Sequence, residues 1–207
     1  MIDYRRQFQP TTPLSASMQH ILNQIPSEKL WLDLGCGSGG QLAHLTRAVG
    51  LDVSFSNLSY CKPINQPLAC SDIETTLPFN KGSFDVVMIS HVLEHVRSPL
   101  ELCIEAYRIL KTGGILIIGL PIEISLFRVI AHDHYFYGHP GHIYAFSPTG
   151  LKRLVELAGF QVDKLEFDIP LARKPKFNSL QTIGNKLVPE WLLAMTCANQ
   201  WILAKKI

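Results

Sequence analysis

The order of residue patterns along this chain of 207 residues predicts an α/β fold: a doubly wound, mostly parallel sheet with helices on both faces. Three observations carry that prediction. A short apolar run at residues 30–34 stops in the glycine turn Gly35-Cys36-Gly37-Ser38-Gly39-Gly40, the order of strand, turn and helix. Residues 84–89 and 115–120 are continuous apolar runs rich in β-branched side chains, as expected of strands covered on both faces. Stripes of apolar residues at helical spacing separate the runs, and alternation of this kind implies parallel strands joined by crossovers.

Taken in order, Leu14, Met18, Ile21, Leu22 and Ile25 lie between Pro13 and Pro26 and predict an N-terminal helix. After the glycine turn, Leu42, Leu45 and Val49 continue with helical spacing. Residues 49–53 and 68–70 are read as the second and third strands, ending at Asp52 and before Asp72. Ser98-Pro99-Leu100-Glu101 reads as a capped helix start. Its apolar face runs through Cys103, Ile104, Tyr107 and Leu110 until Gly113-Gly114. Ser147-Pro148 repeats the start signal and Gly159 the stop. Residues 160–167 and 200–204 are read as the last two strands, with a short apolar helix at residues 190–195. Two regions follow from this order, an N-terminal helical segment at residues 1–29 and the sheet domain at residues 30–207.

Composition narrows the function. Apolar residues make up 47% and charged residues 17% of the chain, which excludes a disordered or collagenous polypeptide. The 19 basic against 17 acidic residues leave a net charge of +2, too even for a protein that works by neutralising phosphates, so no nucleic-acid partner is expected. Five cysteines without a C-x-x-C pair read as reduced thiols, and Asp3, Arg5, Arg6 and Pro10 interrupt any signal-peptide pattern, so a cytoplasmic location is expected. The apolar stretches at residues 115–131 and 188–204 are broken by charged and proline residues, and no membrane span is expected.

In a doubly wound sheet the ligand lies beyond the carboxyl ends of the strands, and the first glycine turn borders that crevice. The glycines fit both G-x-G-x-x-G and G-x-G-x-G. Asp33, two residues before the first glycine, separates the two readings. A carboxylate there repels a pyrophosphate and attracts a cation; at ~4 Å and an effective dielectric of ~20 the difference is worth about 4 kcal/mol. A sulfonium-bearing amino acid is thereby favoured over a dinucleotide.

Several motifs in order then resemble those of the class I S-adenosylmethionine-dependent methyltransferases of the small-molecule type, across residues 30–167. Trp31-Leu-Asp-Leu-Gly-Cys-Gly-Ser-Gly39 is similar to the first motif and Gly50-Leu-Asp-Val-Ser54 to the end of the second strand. Ser71-Asp-Ile-Glu74 with Leu77-Pro-Phe79 resembles the third motif. Phe84-Asp-Val-Val-Met-Ile-Ser-His-Val-Leu-Glu-His-Val96 resembles the fourth, and Glu105–Gly114 the approach to the fifth strand. Gly141–Pro148 and Leu157–Phe160 resemble the later region.

The resemblance implies a Rossmann-like seven-stranded sheet with an antiparallel last strand, and S-adenosylmethionine as cofactor. It implies that Asp33 and the backbone of Gly35, Cys36 and Gly37 hold the methionine end, that Asp52 with Val53 meets the ribose, and that Asp72 and the Ile73 amide meet the adenine. Ser90 and His91 would lie beside the methyl group. Asp52 follows Gly35 by only 17 residues, which implies a shortened helix or loop between them.

Methyl transfer is an in-line displacement, for which alignment and water exclusion supply much of the acceleration and a neutral hydroxyl acceptor also needs a base. His91 is the leading candidate base and His95 the second, though both residues could equally orient or border the cofactor without moving a proton. Four histidines crowd into residues 132–142. Their spacing matches no common zinc pattern and no cysteine lies nearby, so no metal is expected. A substrate lid is the preferred reading, with His134, Tyr137, His142 and Tyr144 facing a small-molecule acceptor alongside Tyr135 and Phe136. Two competing readings remain at this point, a nicotinamide-dependent oxidoreductase on the same turn and a non-catalytic cofactor-binding regulator.

Overall fold

The computed structural model describes residues 14–61, 64–123, 125–126, 141–168 and 178–207. Seven strands form one sheet: β1 (Trp31–Leu34), β2 (Ala48–Asp52), β3 (Leu68–Cys70), β4 (Phe84–Ser90), β5 (Leu110–Pro121), β6 (Phe160–Phe167) and β7 (Asn199–Lys206). Their spatial order is β3-β2-β1-β4-β5-β7-β6. The first five strands pair in parallel, and β7 is antiparallel to both of its neighbours. This is the α/β doubly wound, Rossmann-like sheet expected, including the antiparallel last strand. Strand order reverses between β1 and β4, so the crevice for a ligand lies off the carboxyl ends of those two strands.

The described helices are α1 (Ala16–Leu22), α2 (Phe55–Tyr60), α3 (Pro99–Ile109), α4 (Pro148–Leu157), α5 (Asn178–Leu187) and α6 (Glu190–Thr196). Alternation along the central strands sends successive side chains to opposite faces. Leu32, Leu34, Val87, Ile89, Leu116 and Ile118 pack with Leu102, Cys103, Ala106 and Ile109 of α3 and Leu151 and Val155 of α4. Trp31, Val86, Met88, Ile117 and Trp201 point the other way, against Met18 and Ile21 of α1. Gly119 permits that second layer, because a Cβ there would stand 2.3 Å from the ring of Trp201.

Local signals explain most of the boundaries. Ser15 caps α1 by accepting from the Met18 amide, and Ser147 caps α4 by accepting from the Gly150 amide. Pro99 and Pro148 occupy first turns, where a missing N–H costs nothing.

Three expectations are corrected. The helix expected from Leu42 to Val49 is a single 3-10 turn, Leu42–His44, because β2 starts at Ala48 and leaves no room for a second turn. Gly113-Gly114 does not end α3; the chain passes straight into β5 at Leu110. The glycines accompany a register shift against β4 between Phe84 and Val86. Ser98 stands at the start of α3 without a side-chain capping bond.

No described helix is long and apolar enough to cross a membrane. His134, Tyr135, Phe136 and Tyr137 of the expected lid, and residues 1–13 of the N-terminal segment, lie outside the described residues.

Candidate functional site

The carboxyl ends of β1, β2 and β4 converge, with Asp33 opposite Gly50 on one side and Met88 on the other. Beyond β1 the chain turns through Gly35, Gly37 and Gly39, all at positive φ (+80°, +53° and +89°). A Cβ on Gly35 would come within 2.4 Å of Val92, so glycine is required there for space as well as for conformation. The Gly35 and Cys36 amides donate to the Leu51 carbonyl at 2.7 and 3.0 Å, tying the turn to β2.

Asp52, buried at the end of β2, locks the same turn from its side chain. Its two carboxylate oxygens accept from the Gly37 amide and the Ser54 amide, each at 2.8 Å. Asp33 is 1% exposed and receives a hydrogen bond from the Leu42 backbone amide, while its Oδ2 has no hydrogen-bond partner. Burial first, and the Asp52 carboxylate second, push its pKa up to about 7. A buried acid with an oxygen left over is costly to maintain unless a ligand completes it.

Of the other residues expected to hold the cofactor, Val53 is exposed. Asp72, past the end of β3, is exposed and accepts from the Glu74 amide at 2.9 Å, with Ile73 half-buried beside it. Cys36 offers only its backbone: its thiol packs with Cys61 and Leu58, and its hydrogen bond to Cys61, then burial, push the thiol's pKa well up. At the end of β4, Ser90 is buried and its hydroxyl accepts from Gln41 at 3.0 Å. Gln41, from the turn after the glycines, is a site residue that no sequence motif announced.

His91 adopts a left-handed backbone, φ +55°, a conformation that costs a non-glycine residue on the order of 1–3 kcal/mol and is usually held by its surroundings. Here its amide donates to the Gly119 carbonyl at 2.8 Å, and the imidazole Nδ1 lies 3.5 Å from Glu94 Oε1. Glu94 is 1% exposed, and no donor meets either of its carboxylate oxygens in hydrogen-bond geometry. Burial opposes its charge, yet His91 and then His95 hold its carboxyl below the usual range.

His95 and the described part of the expected lid form one unit. His95 Nδ1 stands 2.8 Å from the Gly141 carbonyl, and the Ile143 and Tyr144 amides donate to the Glu94 carbonyl at 2.7 and 3.3 Å. The Tyr144 hydroxyl donates to the Arg97 carbonyl at 2.9 Å. His142 Nδ1 meets the Glu123 carboxylate, and its ring packs edge-on to His95 with centroids 4.7 Å apart. The later region is thus fastened onto the segment after β4. Glu94 and Glu123 were missed in the sequence, where an acidic residue in an apolar run carries no sign of what the fold will place around it.

The family model described as "Methyltransferase domain" matches residues 32–118, the span from β1 into β5. The crystal structure of an S-adenosylmethionine-dependent methyltransferase from Archaeoglobus fulgidus superposes with a TM-score of 0.69 at 25% identity, covering 92% of each chain. In sequence over residues 32–118 and in fold across the sheet, the chain resembles the S-adenosylmethionine-dependent methyltransferases. The chain is also 27% identical over 190 residues to a ubiquinone biosynthesis O-methyltransferase of Coxiella burnetii, covering 79% of this chain and 80% of that protein. It is 35% identical over 120 residues to an uncharacterized 37.1 kDa protein in transposon TN4556 of Streptomyces fradiae, of which it spans 34%. The match favours the methyltransferase reading over the oxidoreductase one.

Proposed function

We propose that the crevice between β1 and β4 binds S-adenosylmethionine and that the protein moves its methyl group to a small-molecule acceptor. The observation that carries the reading is the buried Asp33 with its unpartnered Oδ2. An ammonium group is the natural complement of that oxygen, whereas a pyrophosphate would face two carboxylates, Asp33 and Asp52. The turn fits as well, since its glycines bring backbone close to whatever lies above them.

In this reading the sulfonium cofactor supplies a methyl group on a leaving group already activated by positive charge. The chain supplies position. Asp33 and the backbone of Gly35, Cys36 and Gly37 hold the amino-acid end, Asp52 with Val53 borders the ribose, and Asp72 and Ile73 border the adenine. Ser90, fixed by Gln41, and His91 stand at the end of β4 next to the reacting groups, and His91 takes the acceptor's proton. Glu94 steadies the imidazolium that results, in the way a buried carboxylate orients a catalytic imidazole. His95 is directed at the Gly141 carbonyl, which suits it to fastening the later region rather than to proton transfer, and His142 and Tyr144 are assigned to the edge of the acceptor pocket.

A small acceptor is supported by the even charge of the chain and by the O-methyltransferase likeness. The test is calorimetric titration with S-adenosylmethionine, S-adenosylhomocysteine and NADH, followed by labelled methyl transfer into fractions of a small-molecule extract. Binding of the first two but not the third, with label in a small molecule, is expected. NADH binding alone, or label only in macromolecules, refutes the proposal.

A further inference from the structure

We infer that Glu94, His95 and His142 form a site for a divalent transition-metal ion of the zinc class. One ligand atom from each of the three lies within 4.8 Å of the others. Ligands ~2.1 Å from one tetrahedral ion stand about 3.4 Å apart, so binding draws the atoms together by at most about 1.4 Å. Two imidazoles and one carboxylate are a familiar catalytic zinc donor set, and the nitrogen-rich composition disfavours magnesium, which takes oxygen.

Two features distinguish this cluster from a chance meeting of polar side chains. Glu94 is a nearly inaccessible carboxylate whose oxygens meet no donor in hydrogen-bond geometry, and a metal ion is a partner that repays such burial. The imidazoles, in turn, each have their Nδ1 engaged by a neighbour. His95 Nδ1 is engaged by the Gly141 carbonyl while its Nε2 faces Glu94 Oε1 at 4.0 Å. His142 Nδ1 is engaged by the Glu123 carboxylate. A carbonyl or carboxylate on Nδ1 selects the tautomer whose Nε2 carries the lone pair, the outer-sphere arrangement typical of ligating histidines. His142, 6% exposed in its side chain, is too enclosed to be a casual surface partner of Glu123.

The sequence reading expected no metal because it sought ligands inside residues 132–142. The fold instead joins the last residue of that segment to Glu94 and His95, which directly follow the β4 end where the acceptor is placed. An ion held there would lie close enough to polarise an acceptor oxygen. That role rests on the methyltransferase reading; the binding of the ion does not.

The experiment uses the full chain, stripped with chelator and titrated separately with Zn²⁺, Co²⁺ and Mg²⁺ by calorimetry, with the visible absorption of Co²⁺ as a record of its ligands. One Zn²⁺ per chain is expected, with tetrahedral or five-coordinate Co²⁺ absorption and far weaker Mg²⁺ binding. His142→Ala and Glu94→Gln should each weaken Zn²⁺ by at least 100-fold. Glu123→Gln, which keeps the ligands, should weaken it by about 10- to 100-fold. S-adenosylmethionine affinity, measured on the same samples, reports whether each variant is folded and whether the cofactor reading holds independently. Absence of one-equivalent Zn²⁺ binding to the wild type, or Zn²⁺ binding unchanged in both His142→Ala and Glu94→Gln, overturns the inference. So does nuclear magnetic resonance evidence that His95 and His142 stay protonated ion-pair partners of Glu94 and Glu123 in the presence of Zn²⁺.

Discussion

Replacing Asp33 with Asn should stabilise the cofactor-free protein while weakening the cofactor. The carboxyl is raised from 3.8 to about 7 by burial and by Asp52, a shift of about 3 pH units, worth ~4 kcal/mol at 1.36 kcal/mol per unit. The sign follows from where the proton is held. Between pH 4 and 7 the folded protein keeps a proton that the unfolded chain has released, so wild-type stability falls as pH rises through that window and is level above it. Asn cannot ionise and escapes the fall. Its amide, like the protonated carboxyl, retains an acceptor for the Leu42 amide and leaves the Oδ2 position unmet, so the two proteins should be nearly equal at pH 4. At pH 8 the variant should be more stable by about 2–4 kcal/mol, a rise in melting temperature of about 5–10 °C for a chain of this size. Denaturant unfolding from pH 4 to 9 measures this directly. In parallel, calorimetry should show wild-type affinity for S-adenosylmethionine rising about tenfold per pH unit up to pH ~7, until the cofactor's own amino group titrates near 8. That slope should be absent in the variant. Parallel stability curves for the two proteins would refute the assigned cost of the buried charge, and an unaltered affinity would remove Asp33 from the cofactor site.

Other perturbations address separate parts of the argument. His91→Ala should lower turnover by about 100-fold or more with little change in cofactor affinity, and should flatten the acid limb of the pH–rate profile; equal turnover would remove His91 as base. Gly35→Ala should both destabilise the protein and abolish cofactor binding, since the new methyl meets Val92 at 2.4 Å in a left-handed turn; calorimetry and thermal melting read the two effects. Gly119→Ala, which places a methyl against the Trp201 ring, should cost about 1–3 kcal/mol in chemical denaturation, and Trp201 fluorescence should report the displacement.

The sheet was legible because its signals are local and periodic. Residues 86–89 and 115–118 are apolar without interruption because both faces are covered, and Ser147-Pro148 writes a helix start into two residues. The extent of the helix after the glycines was not legible, because Leu42 and Leu45 keep helical spacing over a segment whose length is set by where β2 must begin. In the site, Asp33 and the glycines could be read from their spacing. Gln41, Glu94 and Glu123 could not, since each gains meaning only from a partner distant in the chain: Ser90, the histidines at 91 and 95, and His142. Burial of a charge is a property of the assembled structure, and the Glu94 codon alone looks like that of any surface glutamate on a turn.

The insertion of β7 between β5 and β6 has a consequence for biosynthesis. Emerging from the ribosome, β6 precedes the strand on which it must lie, and among the described residues no other strand pairs with it. The cofactor half of the sheet, β1 to β4, can assemble as it appears, whereas the outer edge must wait for residues 199–206. Until then β5 presents an unpaired, apolar edge, and a nascent chain paused in that interval would be a substrate for chaperones or for another copy of itself.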